Sequence, residues 1–148
     1  MTIEQSTIEA RVEAGFSRAN FIADLGIRPT ACGAGWVEAE LSILPRHFQQ
    51  GGFVHAGVQT TLADHCAGAA AATTLAEGFS VLSVEFKLNL LRPALCETLL
   101  CRAEVLKSGK QICVAESEVF ALKNGEKRLF SKATVTLAVL PVAATLPR

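Results

Sequence analysis

Asp64 and His65 interrupt a long, mostly apolar run, and Asp64 is its single acid. From Gln49 to Gly68 the chain reads QQGGFVHAGVQTTLADHCAG, and Ala56 to Ala76 is mostly Ala, Thr and Gly, with Asp64 near its middle. Alanine at this density favours helix. Three and four residues from Asp64 along such a helix stand Thr60, Thr61, Ala67 and Gly68, all small; side chains at those spacings are its neighbours. They leave room for a reacting molecule beside the carboxylate. The plainer alternative is an aspartate paired with a buried arginine or capping a loop, and the small surround argues against it. The loop in front offers a complementary group. Gly51, Gly52 and His55 lead into the first turn, where the amides of Ala56 and Gly57 have no intrahelical partner. Amides at the positive end of a helix can hold a carbonyl oxygen and stabilise the oxyanion it becomes. Helix start and mid-helix acid together make a plausible acyl-transfer site.

Eight residues separate Ala56 from Asp64, about 12 Å along a helix axis. One carbonyl within reach of that amide is out of reach of that carboxylate. If both serve one site, they come from two antiparallel copies of the helix, which predicts a two-fold dimer with two sites at its seam.

The elements that must carry these groups follow from periodicity. Ile8, Val12 and Phe16 mark an amphipathic helix over about residues 3–25. Gly26, Pro29, Gly33 and Gly35 break the chain. Trp36 to Ile43 alternates as a strand. The central helix is expected over about 56–76, ended by Gly78 and buried because it has so little polar surface. Val81 to Leu90 alternates strictly, with Leu82, Val84, Phe86, Leu88 and Leu90 opposed to Ser83, Glu85, Lys87 and Asn89. Arg92-Pro93-Ala94 stops it. Thr98–Lys107 and Gln111–Leu122 read as strands around the Ser108-Gly109-Lys110 turn. Lys127–Leu140 follows a hairpin signal at Asn124-Gly125. The expected architecture is α+β: four meandering antiparallel strands and one earlier strand form a sheet curled around a single apolar helix, in one domain spanning residues 1–148.

Composition narrows the function classes. Fourteen basic residues balance fourteen acidic ones in 148, without the basic stripe of a nucleic-acid binder or of a polybasic membrane-surface protein. Half the residues are hydrophobic and 19% charged, unlike a disordered chain. Cys32, Cys66, Cys96, Cys101 and Cys113 show no metal-ligand spacing and read as small hydrophobes, so no metal is expected. The first fifteen residues lack the apolar core of a signal peptide, and the alanine-rich run makes a poor membrane span. A soluble, cytoplasmic protein is the expectation.

These residues resemble the hotdog-fold thioesterases, and within them the PaaI-like clade. That signature runs from an asparagine or similar residue through His-Gly-Gly to Leu-Ala-Asp followed by small residues. Here it reads Gln49, His55-Ala56-Gly57, Leu62-Ala63-Asp64 and Ala67-Gly68. The likeness continues through Ser83-Val84-Glu85-Phe86, Leu91-Arg92-Pro93-Ala94 and Lys107-Ser108-Gly109-Lys110, and covers about residues 36–140. The chain departs from the pattern at Ala56, where glycine is usual, and at Gln49, where asparagine is common. The resemblance implies a helix wrapped by an antiparallel sheet, dimers often paired into tetramers, and hydrolysis of aryl or medium-chain acyl-CoA thioesters without a cofactor. It makes Asp64 nucleophile or general base and the Ala56 amide the group that polarises the thioester carbonyl across the dimer seam. His55 and Gln49 would orient the reacting end, and Gly57, Gly68 and Ser83 would lie near the acyl group or the attacking water. Arg92, Pro93, Lys107, Ser108, Gly109 and Lys110 would hold CoA, the cations on its phosphates.

The remaining polar groups read more plainly. His65 points about 100° away from Asp64 on a helix and reads as packing. His47 reads as an ordinary loop histidine, and no serine sits in a nucleophile-elbow motif. Two rival functions use the same fold: a non-catalytic acyl-CoA binder, and an acyl-thioester hydratase or dehydratase, whose catalytic histidine pattern this segment lacks.

Overall fold

Alternating runs become strands and the alanine-rich run becomes the rod they enclose. The computed structural model describes residues 2–145. In chain order it contains α1 (Gln5–Ser17), α2 (Asn20–Leu25), β1 (Arg28–Gly33), β2 (Trp36–Ser42), a 3-10 turn (Pro45–His47), α3 (Ala56–Ala72), β3 (Phe79–Leu90), β4 (Thr98–Ser108), β5 (Ile112–Lys123), β6 (Glu126–Pro141) and α4 (Val142–Thr145). The strands form one sheet in the order β1-β2-β4-β5-β6-β3, antiparallel at every pairing. α3 packs across the concave face. Leu62, Ala63, Cys66, Ala67, Ala70 and Ala71 are buried there with Val37, Leu41, Leu99, Val119, Val135 and Leu137 of the strands. Alanine on the rod lets the sheet close down on it, so the core is filled mainly from the sheet side.

The N-terminal helix is two helices. The α-turn breaks at Arg18 and Ala19, and Ala19 is extended (φ −86°, ψ 94°). Ile8, Val12 and Phe16 of α1 are buried, and Ile22 of α2 continues the apolar surface in a new direction. α3 ends at Ala72 instead of near residue 76. The Thr73 and Thr74 hydroxyls turn back to the Ala70 and Ala71 carbonyls (2.7 and 2.8 Å), and Arg11 of α1 donates to Leu75 O (2.7 Å). The hydroxyl bonds add to the backbone ones that Thr73 and Thr74 N–H already make to the same Ala70 and Ala71 carbonyls, and close the last turn. Gly78, expected to stop the helix, instead takes the left-handed conformation in the turn before β3 (φ 83°).

The sheet differs from the expected arrangement at both edges. Residues 28–33, read as a break, form β1, a short edge strand with a bulge between Pro29 and Ala31. β3 does not join its neighbour in sequence, β4. It crosses to the far edge and pairs with β6 along its whole length, so only β4, β5 and β6 meander. Its alternation also slips: Ser83 faces Leu137 and Glu85 faces Thr136, with Val84 bulged between them. Directly paired residues share a face. Ser83 therefore points inward with Leu137, and so do Phe86 and Leu88, opposite Val135 and Ala133. Without the bulge, Ser83 and Phe86 would lie on opposite faces.

Candidate active site

The site begins with a loop built to hold one helix end. His47 is fully buried, and therefore no ordinary loop histidine. Its Nδ1 accepts from Leu44 N–H (3.0 Å) and its Nε2 lies 3.0 Å from Leu25 O, an arrangement that suits the neutral ring protonated on Nε2. Burial pushes its pKa below the ordinary histidine value, consistent with that neutral form. The His47 carbonyl accepts from His55 N–H (2.8 Å), and Val54 N–H donates to Ala94 O (2.8 Å). The start of α3 is thus tied to the segment that follows β3. Between them Gly52 takes φ 83° in a turn closed onto Gln49 O (3.0 Å), a conformation that favours glycine. The Gln49 carboxamide oxygen accepts from Gly51 N–H within the same turn.

His55 caps α3 with its ring. Nδ1 accepts from Gly57 N–H at 2.8 Å. Of the two amides the sequence offers at this helix start, Gly57 is therefore taken. Ala56 N–H has no hydrogen-bond partner among the described residues and stands on the wall of a cleft of about 590 Å³. Gln49, His55, Gln59 and the Leu90–Ala94 segment, Arg92 and Pro93 included, line the same cleft.

Asp64 is half-buried, does not line that cleft, and pairs with no cation among the described residues. The one hydrogen bond of its side chain among the described residues is from Ser83 Oγ to Oδ1 at 2.6 Å, made possible by the β3 bulge. A hydrogen bond to a charged group at this length holds the carboxylate in one orientation. The two ends of the expected chemistry are therefore both present and lie eight residues apart on one helix.

The expected CoA residues are not brought together within the chain. Arg92 donates to Leu129 O (2.7 Å) beside the first cleft. Ser108, Gly109 and Lys110 line a separate cleft of about 410 Å³ at the C-terminal end of α3, where Ser108 Oγ meets Thr74 Oγ1 at 2.9 Å; the neighbouring Lys107 is exposed. Gly109 is required by that turn, since a Cβ there would lie 2.5 Å from Ile112 O. Gly68 is half-buried on α3, one turn beyond Asp64, and lines neither cleft. His65 packs edge-on against Phe16 (4.5 Å), and burial lowers its pKa. Cys66 is fully buried, and a hydrogen bond with Cys101 together with burial pushes its thiol up, leaving it protonated and unreactive. Among the described residues no cluster of three or more His, Cys, Asp or Glu is placed to hold a metal, and no helix is long and apolar enough to cross a membrane.

One cleft residue escapes sequence reasoning. Gln59 is only 3% exposed, and its Oε1 is buried without a donor. A buried acceptor left unpaired costs about 1–3 kcal/mol. The signal in the sequence was available: an amide side chain on the first turn and a half of a helix whose other inward residues are apolar.

Comparison with known proteins agrees with this geometry. Residues 51–127 match the Thioesterase superfamily model. A thioesterase family protein from Silicibacter pomeroyi is 37% identical, with 90% of this chain and 98% of that one covered at a TM-score of 0.88. A thioesterase from Haemophilus influenzae is 29% identical, covering 82% and 83% at a TM-score of 0.76. The PaaI protein of the phenylacetic acid degradation operon of E. coli shares 18% identity and, over 90% and 93% of the two chains, the same fold (TM-score 0.81). With its helix wrapped by one antiparallel sheet and its matched segment running from the cleft loop into β6, the chain belongs to the Thioesterase superfamily and adopts the hotdog fold.

Proposed function

We propose that this protein hydrolyses acyl-CoA thioesters to the free acid and CoA, in sites shared between two protomers. The observation that carries the reading is the pair of groups on α3 left unspent among the described residues: a free amide at its start and, eight residues on, a carboxylate held by a hydroxyl and by no cation. About 12 Å apart on one helix, they meet only when a second α3 runs antiparallel to the first. The sheet supplies the means. β1 is six residues long and carries Pro29 and a bulge, devices that blunt an edge. β3 is twelve residues long and has no proline, and it exposes Leu82, Val84, Phe86 and Leu90 along an unpaired edge. Pairing β3 with its own copy covers these side chains and sets the two rods antiparallel. Two such dimers stacked together would give the tetramer.

In this assembly the thioester carbonyl rests on Ala56 N–H, and Asp64 approaches from the other protomer. The carboxylate either attacks the carbonyl carbon or takes a proton from a water that does. In the first case the C–S bond breaks, CoA leaves as the thiolate and is protonated by solvent, and water cleaves the mixed anhydride. In the second, water supplies the oxygen directly. Neither route needs a metal or cofactor. Gln49 and His55 border the reacting end, Gly57 fixes the His55 ring, and Gly68 keeps the helix surface beside Asp64 low. Arg92 and Pro93 from one protomer, with Lys107, Ser108, Gly109 and Lys110 from the other, would hold the CoA arm. Five reduced cysteines suit the cytoplasm.

The test is thiol release from a panel of aryl and medium-chain acyl-CoAs. Turnover by the wild type and none by Asp64→Ala, with dimer and fold retained, is expected. Near-wild-type turnover by Asp64→Ala overturns the mechanism, and CoA-ester binding without thiol release favours a binder. A single turnover in heavy-oxygen water then decides the route, since label in Asp64 requires the anhydride.

A further inference from the structure

Gln59 occupies a position whose usual occupant is apolar. In a helix entered through a hydrophobic staple, the residue before the cap packs on the fourth residue of the helix. Here His55 is the cap, Val54 precedes it and is buried, and the fourth residue is Gln59. A leucine would fill that space without an orphaned oxygen. The carboxamide instead has its Oε1 sealed in the protein without a donor. Its Nε2 has no partner among the described residues and is not sealed, and the residue lines the cleft.

Helical side chains lean toward the N-terminus. From position 59 a glutamine therefore reaches back over the first turn, on the face it shares with Ala56 three residues earlier. That is where the one free amide of the helix start lies. The other amide, Gly57 N–H, is occupied by His55 Nδ1. A developing oxyanion is held best by more than one preorganised donor, and this helix start offers a single backbone one.

We infer that Gln59 Nε2 is the second oxyanion donor, acting with Ala56 N–H of the same protomer on the thioester oxygen; the inference rests on the hydrolase reading of this cleft. It also gives the buried glutamine its reason, because only a side chain anchored on the staple wall presents its amide at a fixed point.

The experiment compares Gln59→Leu and Gln59→Glu with the wild type. Both variants should lose about 100-fold in kcat on every acyl-CoA that is turned over, with KM within about three-fold, as when one oxyanion donor is removed. Gln59→Leu should melt at the same temperature or higher, because it restores an apolar staple; a folding defect would move kcat and melting together. A kcat within about three-fold of wild type, or a loss confined to KM or to some acyl groups, overturns the assignment. A second readout does not depend on hydrolysis. A carbon-13-labelled ketone analogue of an acyl-CoA, with methylene in place of sulfur, reports carbonyl polarisation through its infrared stretch. The wild type should lower that frequency and Gln59→Leu should abolish a large part of the shift. Equal shifts in the two, or no binding of the analogue by the wild type, overturn the inference. A shift that depends on Gln59 in a protein that hydrolyses no thioester upholds the donor and overturns the hydrolase reading instead.

Discussion

Shared sites make a quantitative prediction about hybrid dimers. Ala56→Pro removes the N–H from the first helical position, where proline is tolerated. The preceding His55 already has the extended backbone that proline demands (φ −59°, ψ 138°). Asp64→Asn removes the carboxylate and keeps its shape. Each variant alone should retain no more than about 1% of wild-type turnover, the usual consequence of losing an oxyanion donor or a nucleophile. A hybrid of one Ala56→Pro and one Asp64→Asn protomer contains one site with both intact groups and one with neither. Isolated through two affinity tags, it should turn over at about half the wild-type rate per dimer, because one of two symmetric sites is complete. The converse hybrid, wild type with a protomer carrying both substitutions, has every site broken and should be inactive. Should the first hybrid stay as inactive as its parents while the second runs at about half rate, each site lies within one protomer. The amide and the carboxylate of one helix would then act together despite the roughly 12 Å between them.

Ser83→Ala should lower kcat by about 10- to 100-fold with KM little changed, since hydrogen bonds to charged groups contribute about 1.5–3 kcal/mol; unchanged kcat in steady-state assays would detach the hydroxyl from the chemistry. Val84, 64% exposed on β3, contributes about 1 kcal/mol per protomer if its free surface is covered on pairing. Val84→Glu should therefore weaken the dimer at least about 30-fold, and sedimentation across a concentration series should show activity falling with the dimer fraction. Burial lowers the pKa of His47 and of His65 in the fold. The unfolded chain therefore binds more protons as pH drops below 6.5, and melting temperature should fall from pH 7 to pH 5. His65→Leu should flatten that decline, and a melting temperature independent of pH would show that neither ring gains its proton on unfolding.

The rod and the acid were readable in the sequence because each depends on local composition. Ala56 begins α3 as expected, and the strands from Thr98 onward shift by one residue or so at either end. What escaped depends on distant partners. The end of α3 is set by threonine back-bonding and by Arg11, which reaches Leu75 from 64 residues upstream. β1 is hidden by Pro29, Gly33 and the glycines that flank it, which mark loops in most contexts but suit a bulged edge strand. The flight of β3 past β4 to β6 leaves no trace in hydrophobic pattern, and an unbroken alternation gives no warning of the bulge at Val84. The role of His47 is not legible locally, because nothing nearby in sequence shows that the backbone of Leu25 and Leu44 will close on its ring. Gln59 is hidden for the opposite reason: its neighbours mark an apolar helix, and nothing local shows that this amide will be sealed against it.

The contrast between the two margins of the sheet also governs how large an assembly can grow. A ribbon whose margins both accept a new chain has a valence of two and lengthens without limit, as fibres do. Here proline and a kink close one margin, so growth through the proposed β3 pairing would have a valence of one and terminate after a single addition. Any larger particle must stack through side chains, an association that can be dissolved without opening the ladder.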